Sequence, residues 1–307
     1  ELLFPIIIFI FLRTVYILLR KTFYGVDLVK QYTLNEILSA IVMLLMIGYV
    51  CIYNWPKLLI HTYLISYSCF IMLGVNTLIK NWKKITKKMD MAVDFSRKNV
   101  IREFSIYGLV SMVGTVASTG TGYISIVITG VYLNSTDAGL YSSILSILSI
   151  FMFLPKIFMQ VFIPEFSKLY GQKNKTVIIS VLKTTSLFLL FLSSFICSLV
   201  YAFSEDILSL FGENFILGDT ALKILIPSTF FRMISIPLIS FLSGTKYVIY
   251  PNLGGLIIFF TSLIMWVVLV PNYELNGIAI GYSIGILVGI VFQMIIALFK
   301  INSFLNA

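Results

Sequence analysis

The chain has 307 residues, of which 59% are hydrophobic and only 11% are charged, and its formal net charge at pH 7 is +9. Its mean hydropathy of +1.00 is far above that of soluble globular domains. The composition therefore argues against a soluble protein and predicts helices that lie in lipid. The basic residues are spread over the connecting segments, so membrane topology and anionic lipid headgroups explain the positive charge, and no nucleic-acid partner is expected.

Long apolar runs follow one another along the whole chain. A membrane-spanning helix needs roughly 20 mainly apolar residues. Nine runs approach or exceed this length, at residues 2–20, 34–53, 58–79, 104–132, 138–164, 176–203, 219–243, 250–270 and 276–299. We therefore predict an all-α, polytopic membrane protein with nine transmembrane helices.

The segments between the runs alternate in charge, which predicts a topology. Residues 80–102 contain eight Lys and Arg residues, whereas residues 204–219 contain four acids and no base. Because positive residues are retained on the cytoplasmic side during insertion, residues 80–102 are predicted to be cytoplasmic and residues 204–219 external. The first run would then descend from outside. An odd number of helices is thus expected to precede it, and the chain is expected to be N-terminally incomplete.

The sequence offers little material for enzyme chemistry. His61 is the single histidine, the three cysteines lie in apolar runs at no metal-binding spacing, and no Walker or dinucleotide-binding glycine pattern is present. We therefore predict no enzyme activity, no cofactor and no metal site. Glu36 and Glu103 fall near predicted cytoplasmic ends, so no carboxylate is expected deep in the membrane, which argues against acid-coupled antiport.

Arg232 is the most informative charged residue, because it falls near the centre of the seventh run. Placing an arginine there costs on the order of 3 kcal/mol or more unless it faces protein, water or an anion. Pro227 and Pro237 flank it and each leaves a backbone carbonyl unpaired, so they are expected to bend the helix. Arg232 is predicted to face a cavity that takes an anionic substrate.

Two further cations lie within the runs. Arg13 is well inside the first run, and Lys156 follows Pro155 in the fifth, with Gln160 one helical turn later on the same face. None of the three intramembrane cations has an acid one turn away in the sequence. A cavity with unpaired cations is suited to a phosphate or a pyrophosphate.

Small residues recur in the last run. Glycines occupy positions 277, 281, 285 and 289, four residues apart. This small-xxx-small pattern is typical of helices whose backbones approach closely. It predicts a helix–helix contact along this stripe.

Four motifs, in the same order along the chain, carry a resemblance to a known family. They are FLP at 153–155 leading to IPEFSKLY at 163–170, ILSLFG at 207–212 followed by Phe215, PNYELNGIA at 271–279, and AGLYS at 138–142. Together they resemble the Wzx-type O-antigen and repeat-unit flippases, the polysaccharide-transporter branch of the multidrug/oligosaccharidyl-lipid/polysaccharide (MOP) superfamily. The resemblance covers most of the chain and is best from about residue 100 onward.

The resemblance implies twelve helices in two six-helix lobes. Residues 1–79 would be the last three helices of the N-terminal lobe, residues 80–102 the cytoplasmic linker, and residues 103–307 the C-terminal lobe. One departure from the family is informative. Many members carry an acid in the seventh helix, where this chain has GTGYIS at residues 120–125. A coupling scheme that uses that acid is therefore not expected here.

The implied function is to flip a polyprenyl-pyrophosphate-linked oligosaccharide across the cytoplasmic (inner) membrane by alternating access, for surface polysaccharide assembly. Arg232, Arg13 and Lys156 would attract the pyrophosphate or acidic sugars, and Tyr123 and Gln160 would contact sugar hydroxyls. The expected partners are the lipid-linked substrate, membrane lipids, and a polymerase or other glycan-assembly proteins.

Three alternatives remain open from the sequence. A drug or metabolite antiporter of the same superfamily would carry acids in its cavity, whereas the cavity candidates here are basic. A membrane-embedded glycan polymerase or ligase would usually have a large outer loop. A lipid II flippase would usually have extra helices after the twelfth.

Overall fold

The computed structural model describes residues 3–26, 28–55, 58–83, 86 and 97–306. Within these ranges the chain is helical throughout, with short connections and no strand, so the all-α prediction is confirmed. The chain divides into two compact units, Glu1–Ser96 (unit 1) and Arg97–Ala307 (unit 2). Each unit is described by itself.

Unit 1 contains three helices, namely α1 (Leu3–Gly25), α2 (Val29–Ile52) and α3 (Leu59–Lys80). α3 packs against both α1 and α2. Their shared core is largely aromatic, with Phe23, Tyr32 and Phe70 buried around Leu28. The outward faces of all three helices are rich in exposed Ile, Leu and Phe, as expected of helices in lipid.

Unit 2 contains the remaining elements. In chain order they are α4 (Arg97–Tyr132), α5 (Ser135–Phe151), α6 (Phe153–Gly171), α7 (Lys175–Ala202), α8 (Ser204–Ser209), a 3₁₀-helix (Glu213–Gly218), α9 (Asp219–Ile234), α10 (Ile236–Gly244) and α11 (Ile249–Asn306). Two large buried apolar clusters hold the unit together, and Ile258, Ile286 and Ile290 form a smaller one. Of the two large clusters, one surrounds Tyr141, Leu225 and Trp266, and the other surrounds Phe166 and Phe241.

Three of the helical stretches in unit 2 are interrupted. α5 and α6 meet at an angle of 49°, and α9 and α10 meet at 46°. Within α11, Glu274 has a non-helical backbone (φ 46°, ψ −124°). The fifth and seventh apolar runs are therefore bent rather than straight, and the eighth and ninth are the two halves of α11.

The two halves of α11 pack against each other in antiparallel fashion, and the glycine stripe forms their contact. A methyl group added at Gly277 would lie 2.5 Å from the Leu269 carbonyl oxygen, and one at Gly285 would lie 2.8 Å from the Ile258 carbonyl oxygen. Both distances are shorter than a carbon–oxygen contact allows. The predicted close approach of helix backbones is thus present, and its partner is the helix that immediately precedes the stripe.

The acidic segment 204–219 is folded onto unit 2. Its apolar side chains Leu208 and Phe215 pack in the cluster around Tyr141, whereas Glu205 and Glu213 are exposed. At the start of α9 the Lys223 ammonium pairs with Asp219 at 2.7 Å. This segment therefore anchors the end of α9 that is farther from Arg232.

The number of spanning helices and the linker stay predictions. Within the described ranges, five helices are long and apolar enough to cross a membrane, or seven if each bent pair is one span, with α11 counted once. Most of the predicted linker, at residues 84, 85 and 87–96, lies outside the described residues. α4 begins at Arg97, inside the predicted linker range.

Candidate substrate-binding site

Arg232 lies in the last turn of α9, directly before the break at Ser235. The Ser235 hydroxyl donates a hydrogen bond of 2.9 Å to the Arg232 carbonyl. Pro227 lies inside α9, and Pro237 lies in the first turn of α10, so neither proline can donate to the preceding turn. The bend expected between these two prolines is present, and Arg232 is adjacent to it.

The Arg232 side chain leaves α9 on the buried face. Leu225 and Ser228, which are seven and four residues earlier, are both fully buried, whereas Pro227 and Phe231 on the other side are exposed. Arg232 itself is half-buried. Among the residues that the structure describes, no carboxylate pairs with its guanidinium. Arg232 is therefore a partly buried cation that continues the buried stripe of α9.

Tyr123 lies on α4 with 70% of its surface exposed. It shares that face with the exposed Val116 and Val127, and it points away from the buried hydroxyl of Thr121, which donates to the Ala117 carbonyl at 2.6 Å. α4 packs against α5 and α11, while α9 packs mainly against α7 and α11. Tyr123 is therefore available to a ligand only from outside unit 2.

Lys156 and Gln160 lie in the first turns of α6, just after the break at Met152. Both side chains are exposed, and their spacing of four residues places them on one face of the observed helix. Arg13 is exposed on α1 and belongs to unit 1. Within the described residues of unit 2, no hydrogen bond or ring contact joins Arg232 to Lys156 or Tyr123. The substrate-binding roles of all these residues stay predictions.

A carboxylate with an unpaired buried oxygen was missed by the sequence analysis. The Tyr16 hydroxyl on α1 donates a 2.6 Å hydrogen bond to Glu36 Oε1 on α2. Glu36 Oε2 is buried and has no hydrogen-bond partner among the described residues. Beside it, the Arg20 guanidinium lies 5.7 Å from the centroid of the Tyr32 ring. Glu36 lies near the start of α2, as the sequence predicted, but its partial burial against α1 was not foreseen.

The sequence contains a signal for this cluster. Tyr16 and Arg20 are one turn apart on α1, and Tyr32 and Glu36 are one turn apart on α2. Two helices with polar aromatic and charged residues at that spacing can pair along those faces. Such a pattern does not determine which helix faces pack together. The structure shows that these faces of α1 and α2 do.

Metal ligands are scarce in the described part of the chain. No group of three His, Cys, Asp or Glu side chains lies close enough there to hold a metal ion. Cys51, Cys69 and Cys197 are free thiols. His61 is exposed in the first turn of α3.

Comparison with known families gives a match across the centre of unit 2. Residues 111–269, slightly more than half of the chain, match the family model described as MatE. The chain belongs to the MatE family. Together with the long apolar helices, membership of this family of membrane transporters makes the chain a multi-pass membrane protein. No curated protein sequence matches it.

Solved structures share the fold at low sequence identity. One is an outward-facing multidrug resistance MATE family transporter of the MOP superfamily, with 13% sequence identity and a TM-score of 0.71. The match covers 89% of this chain and 63% of that transporter. An inward-facing MATE family transporter is 14% identical with a TM-score of 0.60, covering 89% and 64%. The lipid II flippase MurJ, in an inward closed conformation, is 17% identical with a TM-score of 0.51, covering 91% and 59%. The chain thus spans about three fifths of the length of these structures.

Proposed function

We propose that this MatE-family chain belongs to a flippase that moves a polyprenyl-pyrophosphate-linked oligosaccharide across the cytoplasmic (inner) membrane by alternating access, for surface polysaccharide assembly. The observation that carries the proposal is Arg232, a half-buried cation on the buried face of α9 with no carboxylate partner among the described residues. A cation in such a place needs water or an anion. The pyrophosphate of a lipid carrier supplies that anion, and the planar guanidinium can bind it through two parallel hydrogen bonds.

Two comparisons support the choice of a lipid-linked substrate. The MurJ structure shares the fold, and that protein is a lipid II flippase. The four motifs at residues 138–279 resemble the Wzx-type branch. In this proposal the sugars and pyrophosphate are shielded by protein while the polyprenyl tail stays in lipid.

The other predicted residues have supporting roles in the proposal. Lys156 and Arg13 add positive charge for the pyrophosphate or for acidic sugars. Gln160 and Tyr123 contact sugar hydroxyls. Polymerase or other glycan-assembly proteins receive the flipped product.

The proposal is tested in cells whose surface glycan depends on the full-length protein. Arg232→Ala is expected to abolish most surface glycan, with protein abundance in the membrane near normal. Arg232→Lys is expected to retain part of the display, because the charge survives but the two-pronged geometry does not. Lys183→Ala, which removes an exposed lysine of α7, serves as the matched control and is expected to be silent. Normal display in Arg232→Ala, or a fall in abundance that matches the fall in display, would contradict the proposal.

A second candidate function is drug or metabolite antiport, and Glu36 is the observation that favours it. A partly buried carboxylate with an unpaired oxygen can bind a proton or a cation. Accumulation of a cationic dye in the same cells separates the two candidates. If Glu36→Gln abolishes dye efflux while surface glycan is unchanged in both this variant and Arg232→Ala, antiport replaces the flippase proposal.

A further inference from the structure

Lysine ammonium groups and tyrosine rings gather at one end of unit 2, where α6 and α11 end and a short connection joins α10 to α11. We call the group formed by Lys246, Lys300, Tyr170, Tyr247 and Tyr250 the basic–aromatic patch. Its members come from α6, from the α10–α11 connection and from both ends of α11. The topology predicted from charge places this end on the cytoplasmic side.

The two ammonium groups of the patch are held by the tyrosine rings. Lys246 Nζ lies 5.5 Å from the centroid of the Tyr247 ring, and Lys300 Nζ lies 5.4 Å from the same centroid. Lys300 Nζ is also 5.3 Å from the centroid of Tyr250. These distances are within the range of cation–π attraction. Two like charges are thus placed around a single ring.

Nothing among the described residues neutralises these two lysines with a carboxylate. Lys246 is exposed and Lys300 is half-buried, while the nearest acid along α6, Glu165, is exposed and makes no ion pair. Lys168 lies in the last turn of α6 and adds positive charge near Tyr170. The ammonium groups of Lys246 and Lys300, which lie around the same ring, repel one another, and an anion between them relieves the repulsion.

Neutral hydrogen-bond donors accompany the cations. The Tyr247 ring makes an edge-on contact with the Tyr170 ring, with the centroids 6.3 Å apart. A phenol is protonated at physiological pH, and burial raises the pKa of Tyr247 further. Ammonium and phenol groups together supply the donors that phosphate oxygens accept.

The surface beside the patch is apolar and exposed. Leu298 and Phe299, which directly precede Lys300 on α11, are both exposed, and Ile295 one turn earlier is exposed as well. Beneath the patch lies the buried cluster around Phe241. A ligand lying along α11 would have one end next to the two lysines and the rest against apolar side chains. A phospholipid has the matching structure, with an anionic headgroup and hydrocarbon chains.

We infer that the basic–aromatic patch binds the phosphate headgroup of an anionic phospholipid of the phosphatidylglycerol type, with the acyl chains lying against the exposed face of α11 near Phe299. The site is separate from Arg232 and does not depend on the proposed function. The bound lipid would attach one end of unit 2 to the surface of one leaflet. This is the end at which α6, α10 and α11 meet.

Native mass spectrometry of the purified full-length protein tests this inference. Detergent-solubilised protein is given equal amounts of phosphatidylglycerol and phosphatidylcholine, and the bound lipid is counted. The wild type is expected to retain phosphatidylglycerol preferentially, and Lys246→Gln/Lys300→Gln to bind it roughly tenfold more weakly. Lys246→Arg/Lys300→Arg keeps the charge and is expected to retain the lipid.

The matched control is Lys21→Gln/Lys183→Gln, which removes the same charge from exposed positions elsewhere. It is expected to bind phosphatidylglycerol as the wild type does. Equal retention by the wild type and the Lys246→Gln/Lys300→Gln variant would overturn the inference. Displacement of the lipid by inorganic pyrophosphate, without any preference between the two phospholipids, would assign the patch to a soluble anion and would also overturn it.

Discussion

Glu36 of unit 1 and Arg232 of unit 2 are both partly buried charged residues, but they differ in their described partners. Glu36 accepts a hydrogen bond from Tyr16 and lies near Arg20 and Tyr32. Arg232 has no carboxylate partner among the described residues. A charge that is paired inside its own unit contributes to holding helices together, whereas an unpaired one is left for a ligand.

Tyr16→Phe is expected to destabilise the full-length protein. The change leaves a partly buried carboxylate without its hydrogen-bond donor, which costs about 1–3 kcal/mol. Thermal unfolding in detergent should therefore show a lower midpoint. Tyr63→Phe removes a hydroxyl from α3 without breaking a described hydrogen bond and should change little.

A double-mutant cycle separates this hydrogen bond from a general packing effect. If Glu36→Leu is already present, adding Tyr16→Phe should cost little more, because the partner is gone. Fully additive losses would show that the two side chains act independently.

At the scale of the elements, the glycine stripe of α11 decides how closely its two halves approach. Gly277 and Gly285 sit against carbonyl oxygens of the facing half, and backbone atoms cannot move aside as a flexible side chain can. Gly120 on α4 has the opposite environment, with nothing within 4 Å of an added methyl group. The two kinds of glycine are expected to respond oppositely to the same substitution.

Gly277→Ala is expected to lower the midpoint of thermal unfolding and the abundance of the protein in the membrane. Overpacking of this kind costs about 1–3 kcal/mol. Gly120→Ala should be neutral or stabilise the helix by up to about 1 kcal/mol, because alanine restricts the unfolded chain. Equal behaviour of the two variants would mean that the halves of α11 are not in close contact.

The helices were the most predictable feature of the chain, because an apolar run of spanning length admits few other structures in lipid. The bend near Arg232 was predictable from Pro227 and Pro237. The break at Met152 was missed, although Pro155 cannot donate to the carbonyl of Phe151 and so weakens the helix at that point. The fifth run was predicted to be a single span because it is predominantly apolar over more than the length that a membrane requires.

The pairing of helix faces was the least predictable feature. Periodicity places Tyr16 with Arg20, and Tyr32 with Glu36, but it does not determine which face of α1 meets which face of α2. The same limit applies to the candidate site. The sequence identified Arg232 as costly in lipid, and only the packing of α9 placed it on the buried face.

At the scale of the whole molecule, the predicted topology is tested by cysteine labelling in unbroken cells. Cys51, Cys69 and Cys197 are first replaced by serine. Asn214→Cys, in the exposed 3₁₀-helix of the acidic segment, is expected to react with an impermeant reagent, and Asn99→Cys only after the cells are permeabilised. Labelling of Asn99→Cys in intact cells would contradict the predicted topology and would indicate the opposite orientation.

The central claim, transport of a lipid-linked oligosaccharide, is tested most directly in proteoliposomes. Purified full-length protein is reconstituted with a polyprenyl-pyrophosphate-linked oligosaccharide present in both leaflets, and a glycosidase added outside reports the accessible fraction. With the wild type, nearly all of the glycan should become accessible, and with Arg232→Ala the inner-leaflet half should stay protected. If the inner-leaflet glycan stays protected with the wild type while the same vesicles transport a cationic dye, the claim is contradicted.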